Sequence, residues 1–148
     1  MSVPNDIALR IGPISPAASG ALYQQIVNGF KREIGEGRLP GGTALPSFRL
    51  LAEQLLVSII TVRRAYEELE REGIIFRRQG LGTFVATDGR RRAQESKRRD
   101  AEALIRSAVQ EAAGSGLNSR QARSFVRRIA DEALSEQDAC KTPSKSAA

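Results

Sequence analysis

The run Ser47-Phe48-Arg49-Leu50-Leu51-Ala52-Glu53-Gln54-Leu55-Leu56-Val57-Ser58-Ile59-Ile60-Thr61-Val62-Arg63-Arg64-Ala65-Tyr66-Glu67-Glu68-Leu69 decides how the chain is read. Each of its two serines stands just before an apolar helical period. A side-chain oxygen in that place accepts a hydrogen bond from an otherwise unpartnered N–H of the first turn. The spacing predicts a short helix from Phe48, with Leu51, Ala52 and Leu55 turned inward. It predicts a longer helix over residues 59–72, with Val62, Ala65, Tyr66 and Leu69 on the buried side and Gly73 as its C-cap. Only Leu56, Val57 and the capping Ser58 separate the two helices. A joint that tight reads as a helix-turn-helix.

Before this run, Leu22, Ile26, Phe30 and Ile34 recur every four residues, with Tyr23 and Val27 beside them, which predicts a first helix. Gly35 and Gly37 stop it, and Pro40-Gly41-Gly42 forms a loop. After the run, residues 74–78 and 83–86 are β-rich and flank Gln79-Gly80-Leu81-Gly82, so a hairpin is expected. Three helices followed by a hairpin is the order of a winged helix. The expected class is therefore α+β, mostly α, with a winged helix-turn-helix over residues 21–86. Residues 1–20, with alternating Ile7, Leu9 and Ile11, read either as an irregular arm with a short strand or as a disordered leader.

Residues 87–97 read as a basic linker. From residue 98 a helical stripe returns at Ala101, Leu104, Ile105, Ala108, Val109 and Ala112. Gly114-Ser115-Gly116 breaks it, and Asn118 or Ser119 caps a last helix to about Leu134, with Phe125, Val126 and Ile129 on one face. Two such helices have little core to cover them. A second copy of the chain is the natural cover, which makes residues 98–134 a short two-helix C-terminal dimerisation unit. Its candidate seam is Leu104, Ile105, Val109, Phe125, Val126 and Ile129; the alternative is that the pair folds back on its own winged helix. The tail from Ser135 to residue 148 lacks a core pattern and is expected to be disordered.

The 148 residues are 41% hydrophobic and 27% charged, with a formal net charge of +6. Residues 1–86 hold ten Lys/Arg against eight Asp/Glu, whereas residues 87–99 hold six against two. The excess thus lies just behind the helix-turn-helix, where Arg90-Arg91-Arg92 and Lys97-Arg98-Arg99 either follow phosphates or form a solvated linker. The lone Cys140 can make no internal disulfide. With no signal-like or membrane-spanning run, a cytoplasmic protein off the membrane is expected. No histidine is present, and no paired-carboxylate site, phosphate loop or metal-ligand cluster is visible, so neither an enzyme nor a cofactor or metal is expected.

The third helix would enter the major groove of double-stranded DNA, its N-terminal Ser58, Ile59, Ile60, Thr61 and Arg63 meeting base edges first. Arg63 suits guanine or a phosphate, the hydroxyls suit either, and Ile60 suits a thymine methyl. At the hairpin tip, Gln79 and Gly80 let the backbone approach the sugar-phosphate chain. Of Arg77 and Arg78, strand alternation points only one at DNA. The competing expectation is a winged-helix adaptor that binds protein rather than DNA.

Residues 22–85 also closely resemble the DNA-binding domain of the GntR family of bacterial regulators. The resemblance rests on Leu22–Ile26, on Leu45-Pro46-Ser47-Phe48-Arg49-Leu50-Leu51-Ala52, on Val57–Val62, on Ala65–Gly73 and on Gly80-Leu81-Gly82-Thr83-Phe84-Val85, in order and spacing. It implies operator contacts at Arg49, Ser58, Ile60, Thr61, Arg63 and Gly80. Many members have Gly where this chain has Leu56, and a basic residue near Ile59. The short C-terminal part resembles the YtrA-type branch, implying a dimeric regulator, expected to repress from a palindromic operator. A small-molecule effector is compatible with that architecture, but no residue set names one.

Overall fold

Capping chemistry sets where the helices begin. The computed structural model describes residues 3, 4 and 6–141. Helix α1 spans Ile7–Ile11, α2 Leu22–Gly35, strand β1 Ala44–Leu45, α3 Phe48–Leu55, α4 Ile59–Arg71, β2 Ile75–Arg78, β3 Gly82–Val85, α5 Gly89–Gly114 and α6 Ser119–Lys141. Ser47 Oγ accepts from the Leu50 N–H at 3.2 Å, and Ser58 Oγ from the Thr61 N–H at 3.1 Å. Asn118 is the cap of α6: its Oδ1 accepts from the Gln121 N–H at 3.0 Å, while Gln121 Oε1 accepts from the Asn118 N–H at 3.0 Å. That reciprocal pair is a capping box.

The three helices α2, α3 and α4 enclose one core. Ile26, Val27, Phe30 and Ile34 of α2 meet Leu51 and Ala52 of α3 and Val62, Ala65, Tyr66 and Leu69 of α4. The Tyr66 ring meets Phe30 and Phe48 edge-on, with centroids 5.6 and 5.2 Å away. Each such pair adds roughly 0.5–1.5 kcal/mol beyond its burial. The Tyr66 hydroxyl donates to the Pro46 carbonyl at 2.8 Å, and burial pushes its pKa up, so it stays a donor. That bond ties α4 to the residue just ahead of α3.

Strand β3 is central in a three-stranded antiparallel sheet. It pairs with β2 from Ile75↔Val85 to Arg78↔Gly82, and with β1 at Ala44↔Phe84 and Leu45↔Thr83. The hairpin is the expected wing. Strand β1 was not foreseen, because two residues carry no period to read. The fold is mostly helical with a small antiparallel wing.

Three expectations need correction. The short strand in residues 1–20 is the helix α1: Ile7 and Ile11, four apart, are buried, while Leu9 between them is 84% exposed. Spacing by two fits a strand, but only the outer two residues of this trio have a core to meet. The segment seats where α2 has Gly29; a Cβ there would lie 2.4 Å from Ile11 Cγ2. The linker over residues 87–97 is instead mostly the first turns of α5. Asp88 takes bonds from Arg91 and Arg92 at 2.9 and 2.7 Å, and Arg91 bonds Glu95 at 2.7 Å, so the basic run is laced into helical pairs. The disordered tail fails for residues 135–141, which continue α6; residues 142–148 lie outside the described residues.

The chain forms two compact units, residues 1–99 and 100–148. Within the first, α5 buries Ala93 and Ser96, and Gln94 Nε2 donates to the Gly35 carbonyl at 2.9 Å. Ser96 Oγ donates to Glu72, whose other oxygen pairs with the buried Lys31 at 2.9 Å. Burial pushes the Glu72 carboxyl up, but bonds from Ser96 and Lys31, with the charges of Lys31 and Arg99, outweigh it and hold it below its ordinary value. Within the second unit, Ala122 is the only buried side chain among the described residues. Among those residues no helix is long and apolar enough to cross a membrane.

Candidate nucleic-acid interface

Helix α4 divides lengthwise into two faces. Val62, Ala65, Tyr66 and Leu69 are buried, and Ile59, Ile60, Arg63, Arg64, Glu67, Glu70 and Arg71 are exposed. The exposed face also changes character along its length: its first two turns hold isoleucines and arginines, and its later turns hold Glu67 and Glu70. A polyanion is attracted only to the first part.

Ser58 and Thr61 are brought together at the helix start. Their hydroxyls lie 2.8 Å apart, and Ser58 Oγ also holds the Thr61 N–H. Ser58 therefore serves first as a cap. Ile60 is 76% exposed and Ile59 41%, the former beside a shallow groove of Ala21, Leu22, Tyr23, Thr61 and Arg64. Arg49 is exposed on the first turn of α3. Arg63 sits with its guanidinium carbon 5.9 Å from the Phe48 ring centroid.

A groove of about 500 Å³ runs between the wing and the start of α3, lined among others by Ser47, Phe48, Arg77, Gln79 and Gly80. It unites the expected wing residues with the helix-turn-helix. Gly80 has φ +76°, and no atom lies within 4 Å of where its Cβ would stand. The turn therefore requires glycine there, and its backbone is open to approach. Arg77 lies 5.0 Å from the Phe48 centroid and 3.6 Å from Glu70, while Arg78 lies over Phe76 at 5.8 Å. Both arginines line the groove beside the wing tip.

Arg64 was missed in the sequence. Its guanidinium carbon lies 3.9 Å from the Tyr23 centroid, which fixes it next to Ile60 on the exposed face. Counting helical turns from Ile60 would have found it, four residues on. In the C-terminal unit, Leu104, Ile105, Val109, Phe125 and Ile129 are exposed and Val126 is half-buried; Val109 and Val126 also line a cleft between α5 and α6 of one chain.

A capped helix-turn-helix with a glycine-tipped wing, and a second helix whose leading turns are cationic and apolar, defines a winged-helix DNA-binding regulator. Residues 22–85 match the model of the bacterial regulatory proteins of the gntR family. The chain is 30% identical over 116 residues to the HTH-type transcriptional repressor YtrA of Bacillus subtilis, covering 78% of this chain and 89% of that protein. The HTH-type transcriptional repressor NagR of the same organism is 43% identical over 65 residues, with only 27% of its length covered. A GntR family transcriptional regulator from Listeria monocytogenes superposes with a TM-score of 0.59 at 33% identity, over 74% of this chain and 96% of that one. YtrA from Sulfolobus acidocaldarius, a GntR-family transcription factor, superposes with a TM-score of 0.50 at 31% identity, over 63% and 98%. The chain belongs to the gntR family of bacterial regulatory proteins and is of the YtrA type. It is a DNA-binding transcription regulator, and the adaptor alternative is not favoured. The relatives named above are transcription regulators.

Proposed function

We propose that two copies of the chain pair through α5 and α6 and repress transcription from a palindromic operator in the cytoplasm. Each copy places the start of α4 in one major groove and its wing along the adjoining backbone. Arg63 reads or clamps, Arg49, Ser58 and Thr61 hold phosphates or base edges, Ile60 meets a base, and Gln79 and Gly80 lie against the sugar-phosphate chain. The observation that carries the reading is a pair of exposed surfaces. The start of α4 presents cations and apolar groups outward, and the C-terminal helices leave Leu104, Ile105, Phe125 and Ile129 in water. Apolar faces on helices of this length need a partner. The seam would be Leu104, Ile105, Phe125 and Ile129, with Val109 and Val126 beneath. Any small-molecule effector would have to bind near that seam and alter the spacing of the two recognition helices. Promoter occupancy, not catalysis, is the mode of action.

The test is sedimentation velocity of the full chain beside fluorescence anisotropy on duplexes selected from a random-sequence pool. The expected result is a dimer at micromolar concentration, binding selected duplexes at least ~10³-fold more tightly than scrambled ones. Arg63→Ala should lose about 5- to 150-fold on the selected duplexes, that is, about 1–3 kcal/mol. A chain that stays monomeric yet binds a palindrome undiminished refutes the pairing. Equal binding to selected and scrambled DNA refutes the reading head.

A further inference from the structure

We propose that Ile59 and Ile60 together form an apolar reading head that selects thymine, through its 5-methyl group, in the operator. The proposal rests on α4 entering the major groove and deepens that reading by naming the base. Three observations carry it. Both side chains occupy the first turn of α4, the part of a recognition helix that reaches deepest. Both are solvent-exposed, 41% and 76%, although α4 has a complete buried stripe of its own. Beside them the Ser58 and Thr61 hydroxyls lie 2.8 Å apart, and the Arg64 guanidinium carbon lies 3.9 Å from the Tyr23 centroid. Past the first two turns, Glu67 and Glu70 repel phosphates. The leading turn therefore offers a base edge two exposed branched hydrocarbon side chains, with Arg63 and the two hydroxyls beside them.

The major-groove edges of the four bases answer that surface differently. Guanine shows two acceptors, adenine an acceptor and a donor, and cytosine a donor, while thymine adds a methyl group to its acceptor. A branched alkyl group pressed against any of the first three takes a polar atom out of water with no partner. Against thymine it buries methyl on methyl. Removing one buried methyl costs about a fourfold loss of affinity. The two isoleucines are adjacent in sequence and about 100° apart around the helix, so they address neighbouring base pairs.

The experiment uses the full chain and duplexes recovered from a random-sequence pool, each remade with deoxyuridine in place of individual thymines. Deoxyuridine removes the 5-methyl group and leaves the pairing edge intact. The expected result is about a fourfold loss at each of one or two thymines per half-site, and a larger loss for cytosine there, part of which 5-methylcytosine restores. The Ile59→Ala/Ile60→Ala chain, changed only at exposed positions and checked for an unaltered melting temperature, should bind the thymine and deoxyuridine duplexes alike. If the native chain prefers its selected duplexes over scrambled ones yet ignores deoxyuridine everywhere, the inference is overturned and the groove reading stands. If the double variant keeps the full discrimination, the methyl is read elsewhere and the assignment is overturned. If selected and scrambled duplexes bind equally, the underlying groove reading falls as well.

Discussion

Replacing Leu56 by glycine should stabilise the chain, although it deletes a leucine. Leu56 ends α3 with φ 56° and ψ 42°, the one non-glycine residue with positive φ among the described residues. In that left-handed region an L-residue's Cβ crowds the following carbonyl oxygen, at a cost of roughly 1–2 kcal/mol. Glycine has no such crowding, but it gives the unfolded chain more freedom and returns about 0.4–1 kcal/mol. The Leu56 side chain is 92% exposed, so its loss forfeits little burial. The difference is a net gain of about 0.5–1 kcal/mol. For a domain the size of this winged helix that raises Tm by about 2–8 °C.

Scanning calorimetry and urea melts of Leu56→Gly and Leu56→Ala check the argument. Alanine keeps the strain and removes the same exposed chain, so it should stay within about 0.5 kcal/mol of the native protein. If glycine melts at or below alanine, Leu56 contributes contacts that outweigh its backbone strain, and the reasoning fails. The same geometry gives a physical reason for the glycine that the family resemblance leads one to expect here.

Two further outcomes follow from the core. Tyr66→Phe keeps the ring contacts but strips the donor from the buried Pro46 carbonyl, so urea denaturation should show a loss of about 1–3 kcal/mol. The pH dependence of stability follows from Glu72 and Glu33. Glu33 is held low chiefly by its bond from Arg38 at 2.6 Å, and Glu72 by the bonds and charges around it. A carboxylate depressed in the folded state contributes fully above its unfolded pKa, about 4.3, and loses that contribution as pH falls through the folded value. Thermal melts should therefore be flat in this respect down to about pH 5 and fall below about 4.3, with Glu72→Gln less stable at neutral pH and less steep in acid.

The helix-turn-helix was legible because its signals are local and redundant. Ser47 and Ser58 announce their helices through the first turn alone, and the stripes that follow have a leucine, valine, tyrosine or alanine at each inward step. The segments that went astray bury their contacts without an apolar pattern. The start of α5 packs through Ala93 and Ser96 and a buried ion pair between Lys31 and Glu72, which reads in sequence as a polar connector. α1 was misread because two periods fit three alternating residues equally well, and only the space opened by Gly29 decides between them. At the interface, the candidates on α4 and the wing lie on exposed surface, but the cap role of Ser58 and the stacking of Arg64 on Tyr23 are tertiary facts.

In the proposed docking, the reversal of charge along α4 favours a short reading head at its leading turn. The exposed edge of a recognition helix faces the groove throughout, so Glu67 and Glu70 limit how deep the helix can lie. Glu70 also lies 3.6 Å from the wing's Arg77, whose guanidinium carbon stands 5.0 Å from the Phe48 centroid. At the wing tip, Gln79 and the open backbone at Gly80 share their groove with Arg77 and Arg78. Cationic affinity is concentrated at Arg49, Arg63 and Arg64, around the leading turn of α4. An entry angle that tilts the helix N-terminus downward brings these arginines and the isoleucines in together and keeps the glutamates out. If two copies pair as proposed, specificity depends on the few base pairs under that turn in each copy, and the second copy extends the recognised sequence to the length of an operator.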